Sequence, residues 1–185
     1  GDNGMVQMDA EGNNYAKAAT LSQPSVGVTY GLTVDLGGSD NVTVGAGDVM
    51  ALLGDGADTL NAGIGQHTVL GDNGEVIYVA LGQVGAGKAL SYATTDTLAA
   101  TGGNDSITLG NGDNAVLGGM GADTIIGGAG RQTILGDNGM VQMDAEGNNY
   151  AKVATLSQPS IGTTYGLTTN LGGGDNVTVG AGDVM

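Results

Sequence analysis

Aspartates set among glycines recur in this chain at a spacing that could bind a metal ion. The stretch LGGMGADTIIGGAG, residues 117–130, places Asp123 between glycines, and LLGDGADTLNAGIG, residues 52–65, does the same for Asp58. Calcium binds six to eight hard oxygen atoms, which carboxylates and backbone carbonyls supply. Glycine adopts positive φ and so lets a tight turn direct its carbonyls towards an ion. These residue types therefore indicate calcium sites at tight turns.

The aspartates follow a strict period. Glycine recurs at every ninth residue from Gly38 to Gly74 and again from Gly103 to Gly139. Two residues after these glycines, aspartate occupies every second step. If two nonapeptides form one coil, eighteen residues bring the chain back to the same edge, and the aspartates stack there as candidate ligands. They are Asp40 and Asp58, Asp105 and Asp123, and Asp175, which begins a third stack.

Other polar residues are placed relative to this edge. Three further aspartates are predicted to add ligands at the same edge: Asp55, Asp72 and Asp137. The corresponding positions of the opposite edge carry Val49, His67, Asn114 and Gln132. His67 has no second His or Cys to bind a metal with it, so we predict a surface or stacking residue. One position earlier lie Asp48, Asp113 and Asp183, which we expect to cap turns by accepting backbone N–H bonds. Turn capping is also the alternative role for the aspartates of the first edge.

The apolar residues predict an all-β fold. Aliphatic side chains stand four residues after the periodic glycines, at Val42, Ala51, Leu60, Val69, Ile107, Val116, Ile125 and Ile134. A period of nine with glycine turns and short β-branched runs is typical of a β-solenoid, whereas a helix would repeat its apolar residues every three and four positions.

A longer repeat divides the chain into modules. Residues 1–50 and 136–185 align without a gap and differ at six positions, and GDNG opens a diverged copy at Gly71. We predict modules at 1–70 and 71–135 and a partial third module at 136–185. Inserts rich in strands, at about 5–36 and about 75–101, precede nonapeptides at about 37–70 and about 102–135. The sequence starts without Met and stops inside a repeat, so we expect it to be part of a longer array.

The nonapeptides resemble the hemolysin-type calcium-binding repeat of RTX proteins, whose pattern is GGxGxDxUx. GGMGADTII at 118–126 fits this pattern fully, and GDGADTLNA at 54–62 nearly so. The resemblance implies a right-handed parallel β-roll in which Asp carboxylates and turn carbonyls hold Ca²⁺ between stacked turns. The inserts depart from the pattern, as do the pairs Gln66–His67 and Arg131–Gln132, where we expect no ion. The tandem arrays of giant secreted bacterial adhesins are similar in kind.

Charge and composition exclude several functions. The formal net charge is −15, with four basic residues, which repels nucleic acid and anionic lipid and attracts cations. No apolar run is long enough to insert into a membrane. The chain has no Cys and one His, so we predict that it is not an enzyme. GQVGAGKA, residues 82–89, lacks the Ser/Thr that a phosphate-binding loop needs after its Lys.

A row of leucines must be sheltered from water. Side chains alternate along a strand, so the residue after each inward aliphatic of the second edge points outwards. These residues are Leu52, Leu70, Leu117 and Leu135. We predict that insert strands around Val76, Tyr78 and Tyr30 cover the row. The alternative is self-association, with the row in contact with a neighbouring chain.

The combined prediction is a structural protein located outside the cell. We expect a calcium-stabilised repeat region of a secreted bacterial surface protein, such as an adhesin, a biofilm component or a fibre stalk. The alternatives are a carrier segment of a larger secreted enzyme or toxin and a self-assembling extracellular filament. Near-identity of copies 135 residues apart favours a long array over a single short carrier block.

Overall fold

The chain folds as an all-β protein, as the sequence predicts. The structure, a computed structural model, describes residues 4–8, 15–20, 37–96, 101–156 and 172–185. All regular secondary structure in these segments is β-strand. Among the same residues there is no helix that is long and apolar enough to cross a membrane.

The strands are short and separated by glycine-rich turns. Within the described segments they are β1 (Gly4–Met8), β2 (Tyr15–Thr20), β3 (Asn41–Val44), β4 (Val49–Leu52), β5 (Thr59–Ala62), β6 (His67–Leu70), β7 (Gly74–Tyr78), β8 (Ala89–Thr94), β9 (Ser106–Leu109), β10 (Asn114–Gly119), β11 (Thr124–Gly127), β12 (Gln132–Asp137), β13 (Gly139–Met143), β14 (Tyr150–Thr155) and β15 (Asn176–Val179).

The nonapeptide strands alternate between two parallel sheets. One sheet has the order β15-β11-β9-β5-β3 and the other has the order β12-β10-β6-β4. Within a module, each strand pairs with the strand eighteen residues further on, as in Asn41↔Thr59 and Asn114↔Gln132. The predicted return to the same edge after two nonapeptides is therefore confirmed.

The inserts form a third sheet. Three hairpins, β1-β2, β7-β8 and β13-β14, join side by side into one antiparallel sheet of order β1-β2-β7-β8-β13-β14. The alternating and turn-forming residues of the inserts predict strands at 5–9, 28–36 and 75–79 and a turn at 10–14. The strands predicted at 5–9 and 75–79 correspond to β1 and β7 within one residue. The turn predicted at 10–14 and the strand predicted at 28–36, including Tyr30, lie outside the described residues. The module boundaries at 1–70, 71–135 and 136–185 remain a prediction.

The first core lies between the two parallel sheets. Its buried members include Leu60, Val69, Ile107, Val116 and Ile125, each with no exposed side-chain surface. Val42, Ala51 and Ile134 pack against them. All eight aliphatics predicted from the period of nine thus point into one core, since β-strand alternation directs every second side chain inwards.

The second core contains the leucine row. Leu70, Leu117 and Leu135 are buried against Val76 and Val141 of the insert sheet, together with Tyr92, and Leu52 and Tyr78 pack at its margin. Strands β6, β10 and β12 are therefore covered on both faces, which is usual for a parallel sheet. The prediction that the inserts shelter the leucines is confirmed for Val76 and Tyr78. Because the row is packed inside the chain, it does not present the surface that self-association through Leu52, Leu70, Leu117 and Leu135 would need.

Candidate metal centre

Five aspartates form one column along an edge of the first parallel sheet. Each stands immediately before a strand of that sheet, and the strand order places them in the sequence Asp40, Asp58, Asp105, Asp123, Asp175. The strands on either side of an insert pair directly, as in Thr59↔Ser106 and Thr124↔Asn176. The stacks predicted separately for each module are thus joined into a single column.

A ladder of hydrogen bonds connects the column. Four of the five carboxylates, those of Asp58, Asp105, Asp123 and Asp175, accept through one oxygen the backbone N–H of the aspartate in the preceding coil. Asp40 N donates to Asp58 Oδ1 at 2.6 Å, and Asp58 N donates to Asp105 Oδ1 at 2.9 Å. Asp105 N donates to Asp123 Oδ1 at 2.9 Å, and Asp123 N donates to Asp175 Oδ1 at 3.0 Å. One of the two oxygens of each accepting carboxylate, Oδ1, is therefore already hydrogen-bonded to the backbone.

The second oxygens of two column aspartates are buried without a partner. Asp105 and Asp123 are 2% and 1% exposed, and in both residues Oδ2 accepts no hydrogen bond. A buried carboxylate oxygen without a donor or a cation is costly, so buried polar atoms normally have one or the other. These two oxygens are consequently the strongest candidates for ligands of a metal ion.

Glycines allow backbone carbonyls to approach the same oxygens closely. A Cβ added to Gly71 would overlap Asp105 Oδ2 and the carbonyl oxygen of Gly118. A Cβ added to Gly118 would overlap Asp123 Oδ2 and the carbonyl oxygen of Gly136. The missing side chain thus lets a carboxylate oxygen and a backbone carbonyl from different coils come together at each glycine, and we call each such pair of oxygens a cradle. The two cradles lie in neighbouring coils, since Asp105 and Asp123 are eighteen residues apart.

Burial and mutual repulsion disfavour the charged form of these acids. Burial raises the pKa of Asp105 from 3.8 to about 8. The hydrogen bond from Asp58 N–H lowers this pKa, whereas the neighbouring charges of Asp123 and Asp58 raise it further. Burial also raises the pKa of Asp123 to about 7, with contributions from Asp175 and Asp137. A cation at this edge would offset the same repulsion.

The donor set suits calcium bound partly by the backbone. No group of three or more Asp, Glu or His side chains converges on a point in the segments that the structure describes. An ion held by three or more acidic or histidine side chains is therefore not supported there. One carboxylate oxygen and glycine carbonyls of stacked turns are hard oxygens, which fit Ca²⁺ with its flexible coordination.

The column lies in recognisable repeats. The sequence model of the RTX calcium-binding nonapeptide repeat matches the chain in 4 copies, at residues 36–74, 92–125 and 117–139. These segments, just under half of the chain, match RTX calcium-binding repeats. Neither the search of curated proteins nor the search of solved structures returned a match to the chain.

The RTX match includes four of the five column aspartates, Asp40, Asp58, Asp105 and Asp123. The resemblance predicted from GGMGADTII and GDGADTLNA is therefore confirmed at the level of the repeat. Asp175 lies beyond the matched residues, but its carboxylate continues the same ladder by accepting Asp123 N–H. That each of these residues binds an ion remains a prediction.

Asp72 and Asp137, predicted as additional ligands at the edge of the aspartate column, make other contacts. Both oxygens of Asp72 accept backbone N–H groups, from Gly103 at 3.2 Å and from Met120. Burial raises the pKa of Asp72 to about 10, with repulsion from Asp96 and Asp105. The corresponding residue of the next module, Asp137, accepts Gly173 N–H at 2.7 Å. These two residues resemble turn caps.

Asp55 lies apart from the column. Its carboxylate accepts a bond from the Asn73 side-chain amide, and the same amide contacts Asp96. Asp96 and Thr101 were not predicted from the sequence, because they lie in an insert without the nonapeptide period. The one signal nearby was the recurrent GDNG, which contains Asn73.

The opposite edge of the RTX repeats is built from neutral side chains and exposed turn caps. Asp48 and Asp113 accept Gln66 N–H and Arg131 N–H from the next coil, as predicted for caps. Asn114 donates to Gln132 Oε1 at 3.0 Å. His67 is only 2% exposed, and its Nε2 lies 2.8 Å from the Gly63 carbonyl, so the surface position predicted for it was wrong. The reason is that its position falls on a strand packed between two layers.

One prediction compares the two edges through matched substitutions. Asp123 and Asp113 each accept one backbone N–H from a neighbouring coil, but only Asp123 also has a buried oxygen without a donor. Asp123→Ala should raise the calcium concentration needed for folding by more than about 10-fold, the loss that even residues orienting a metal ligand can cause. Asp113→Ala should cost about 1 kcal/mol, as a lost cap does, and leave the calcium midpoint unchanged.

Calcium titrations of both variants, followed by circular dichroism, measure this difference. Equal shifts of the calcium midpoint in Asp123→Ala and Asp113→Ala would contradict the assignment of the ions to one edge.

A second prediction concerns pH in the absence of calcium. In the folded state the pKa of Asp105 is raised to about 8 and that of Asp123 to about 7, compared with 3.8 for an ordinary Asp side chain. Their contribution to stability is therefore fully present below about pH 4 and is lost as pH rises through about 7 to 8. Acidifying the chelated chain from about pH 8 to about pH 4 should restore β-structure, measured by far-ultraviolet circular dichroism. A chelated chain whose signal is lower at about pH 4 than at about pH 8 would show that the column does not control folding.

Proposed function

We propose that this chain is a calcium-stabilised structural repeat region of a secreted bacterial surface or extracellular protein. In this proposal the coils form a right-handed parallel β-roll, and Ca²⁺ ions lie between successive turns of the aspartate edge. The array serves as a stalk of an adhesin, a biofilm component or a fibre.

One observation carries the proposal. The buried Oδ2 atoms of Asp105 and Asp123 have no hydrogen-bond donor and lie in the cradles at Gly71 and Gly118, each beside a backbone carbonyl, within the RTX repeats. Turn capping explains the Oδ1 atoms, which accept backbone N–H groups, but it gives the Oδ2 atoms no partner. A cation satisfies them and reduces repulsion along the column.

The proposed role is structural and not catalytic. Only one histidine is present in the chain, and its Nε2 is directed at the Gly63 carbonyl, where it donates a hydrogen bond. His67 is also 2% exposed. A general base needs to reach a substrate proton, which this position does not favour.

An extracellular location is supported by the calcium chemistry. RTX repeat proteins are in general secreted by bacteria, and sites of extracellular modules typically bind calcium at about 10⁻⁴–10⁻³ M. The net charge of −15 also suits a location where millimolar calcium is present.

Deleting these repeats in the producing bacterium tests the function. We expect lower surface attachment or biofilm mass, with the remainder of the protein still exported. If the deletion instead blocks export and leaves attachment unchanged, the chain is a carrier segment of a larger secreted protein. A control deletion of equal length outside the repeats separates the effect of the array from that of total length.

A further inference from the structure

Four buried polar side chains meet at the junction between the second insert and the nonapeptide coils. Asp55 lies in the turn after β4, Asn73 in the turn before β7, and Asp96 and Thr101 follow β8. Their exposed fractions are 5%, 1%, 4% and 0%. The cluster therefore links the nonapeptide coils to the β7-β8 hairpin.

One amide bridges the two carboxylates of this cluster. Asn73 Nδ2 donates to Asp55 Oδ1 and, at 3.1 Å, to Asp96 Oδ1. Thr101 Oγ1 donates to the same Asp96 oxygen at 2.9 Å. Two acidic side chains are thus held close together in a buried place by neutral donors, where their mutual repulsion is poorly screened.

The same amide also has an unsatisfied oxygen. Asn73 Oδ1 is buried and accepts no hydrogen bond, although the residue is 99% covered by protein. Because Nδ2 of this amide faces Asp55 and Asp96, Oδ1 lies buried beside the cluster, and a flip of the amide would direct it towards the two carboxylates. An amide oxygen, two carboxylates and a hydroxyl are all hard oxygen donors, and this is the ligand set that Ca²⁺ prefers.

The next module shows the same place closed by apolar side chains. The position of Asp55 is occupied there by Met120, and the position of Thr95 by Leu156. The equivalence is structural, because Thr95 N donates to Asn73 O and Leu156 N donates to Asn138 O. Met120 and Leu156 are both buried and form a small core of their own. The fold therefore does not require acids here.

We propose that Asp55, Asn73, Asp96 and Thr101 bind a calcium ion outside the nonapeptide column, and that this ion fastens the β7-β8 hairpin to the coils. The ion would replace the Asn73 amide as the bridge between the two carboxylates, with Asn73 Oδ1 turned towards it. This site is separate from the column, although the charge of Asp96 also repels that of Asp105. It makes the first junction ion-dependent where the second is apolar.

Ion counting by native mass spectrometry in calcium tests the site. Asp96→Asn should bind one ion fewer than the unaltered chain and keep the others. The control, Asp48→Asn, changes an exposed acid of the opposite edge and should keep the full count. An unchanged ion count in Asp96→Asn would overturn the proposal.

A second variant covers the case in which Asp96→Asn fails to fold. D55M/T95L/D96S installs the residues that the next module has at these positions, Met120, Leu156 and Ser157. It should fold in calcium with one ion fewer. Retention of the full ion count by this folded variant would overturn the site.

Hydrogen exchange gives an independent readout. In calcium, Asp96→Asn should speed exchange of β7 and β8 amides and leave β13 and β14 unchanged. Equal exchange in β7 and β8 of variant and parent would also contradict the site. Failure of the column is distinguishable, because in that case the unaltered chain itself would bind at most this one ion.

Discussion

Chelation of calcium at neutral pH is expected to remove most of the β-sheet signal of this protein, and millimolar calcium is expected to restore it. The net charge is −15, and the column brings five aspartates together along one edge. Without cations their repulsion opposes folding, and the binding free energy of the ions becomes folding free energy, because the unfolded chain has no preformed site. Far-ultraviolet circular dichroism during a calcium titration measures the change.

Magnesium is the matched control for this experiment. It requires near-ideal octahedral geometry at about 2.0–2.1 Å and keeps its waters, so cradles lined by carbonyls should not bind it well. Recovery of the signal with calcium and not with equal magnesium would separate specific binding from charge screening. A spectrum that is unchanged in excess chelator would contradict the calcium dependence.

Leu117→Ala is expected to destabilise the calcium-bound protein by about 2–5 kcal/mol, the usual cost of truncating a buried leucine. Leu117 is fully buried in the second core, between the parallel strand β10 and the insert sheet. Its truncation leaves a cavity between the parallel sheet and the insert sheet. Turns and inserts fix the positions of these two layers, so the cavity cannot readily close. Denaturant unfolding in saturating calcium measures the loss.

Leu81→Ala provides the control for that substitution. Leu81 is 42% exposed, and a surface truncation should change stability by no more than about 0.5 kcal/mol. Similar losses in the two variants would show that the insert sheet does not cover the leucine row in solution.

The period of the sequence determines much of the fold in advance. Because side chains alternate and two nonapeptides complete one coil, Leu60 and Ile107 had to point inwards and Leu70 and Leu117 outwards. The same period places Asp40 with Asp58, and Asp105 with Asp123, on one edge. These features were predictable because every coil repeats the same local constraint, and errors of register would have exposed a whole row of leucines.

The inserts were much less predictable. That β2 pairs with β7, and β8 with β13, depends on contacts between different modules. No period relates Asp96 or Thr101 to Asp55, so their meeting could not be inferred from spacing. His67 was misplaced for a related reason, because the insert sheet that covers its strand is a non-local feature.

Locating the bound ions in a crystal grown with calcium tests the central claim most directly. Anomalous scattering identifies calcium independently of the protein. We predict peaks along the edge that carries Asp58, Asp105 and Asp123, beside the cradles of Gly71 and Gly118. Peaks confined to the edge of Asp48 and Asp113, or an aspartate column without any ion at saturating calcium, would contradict it.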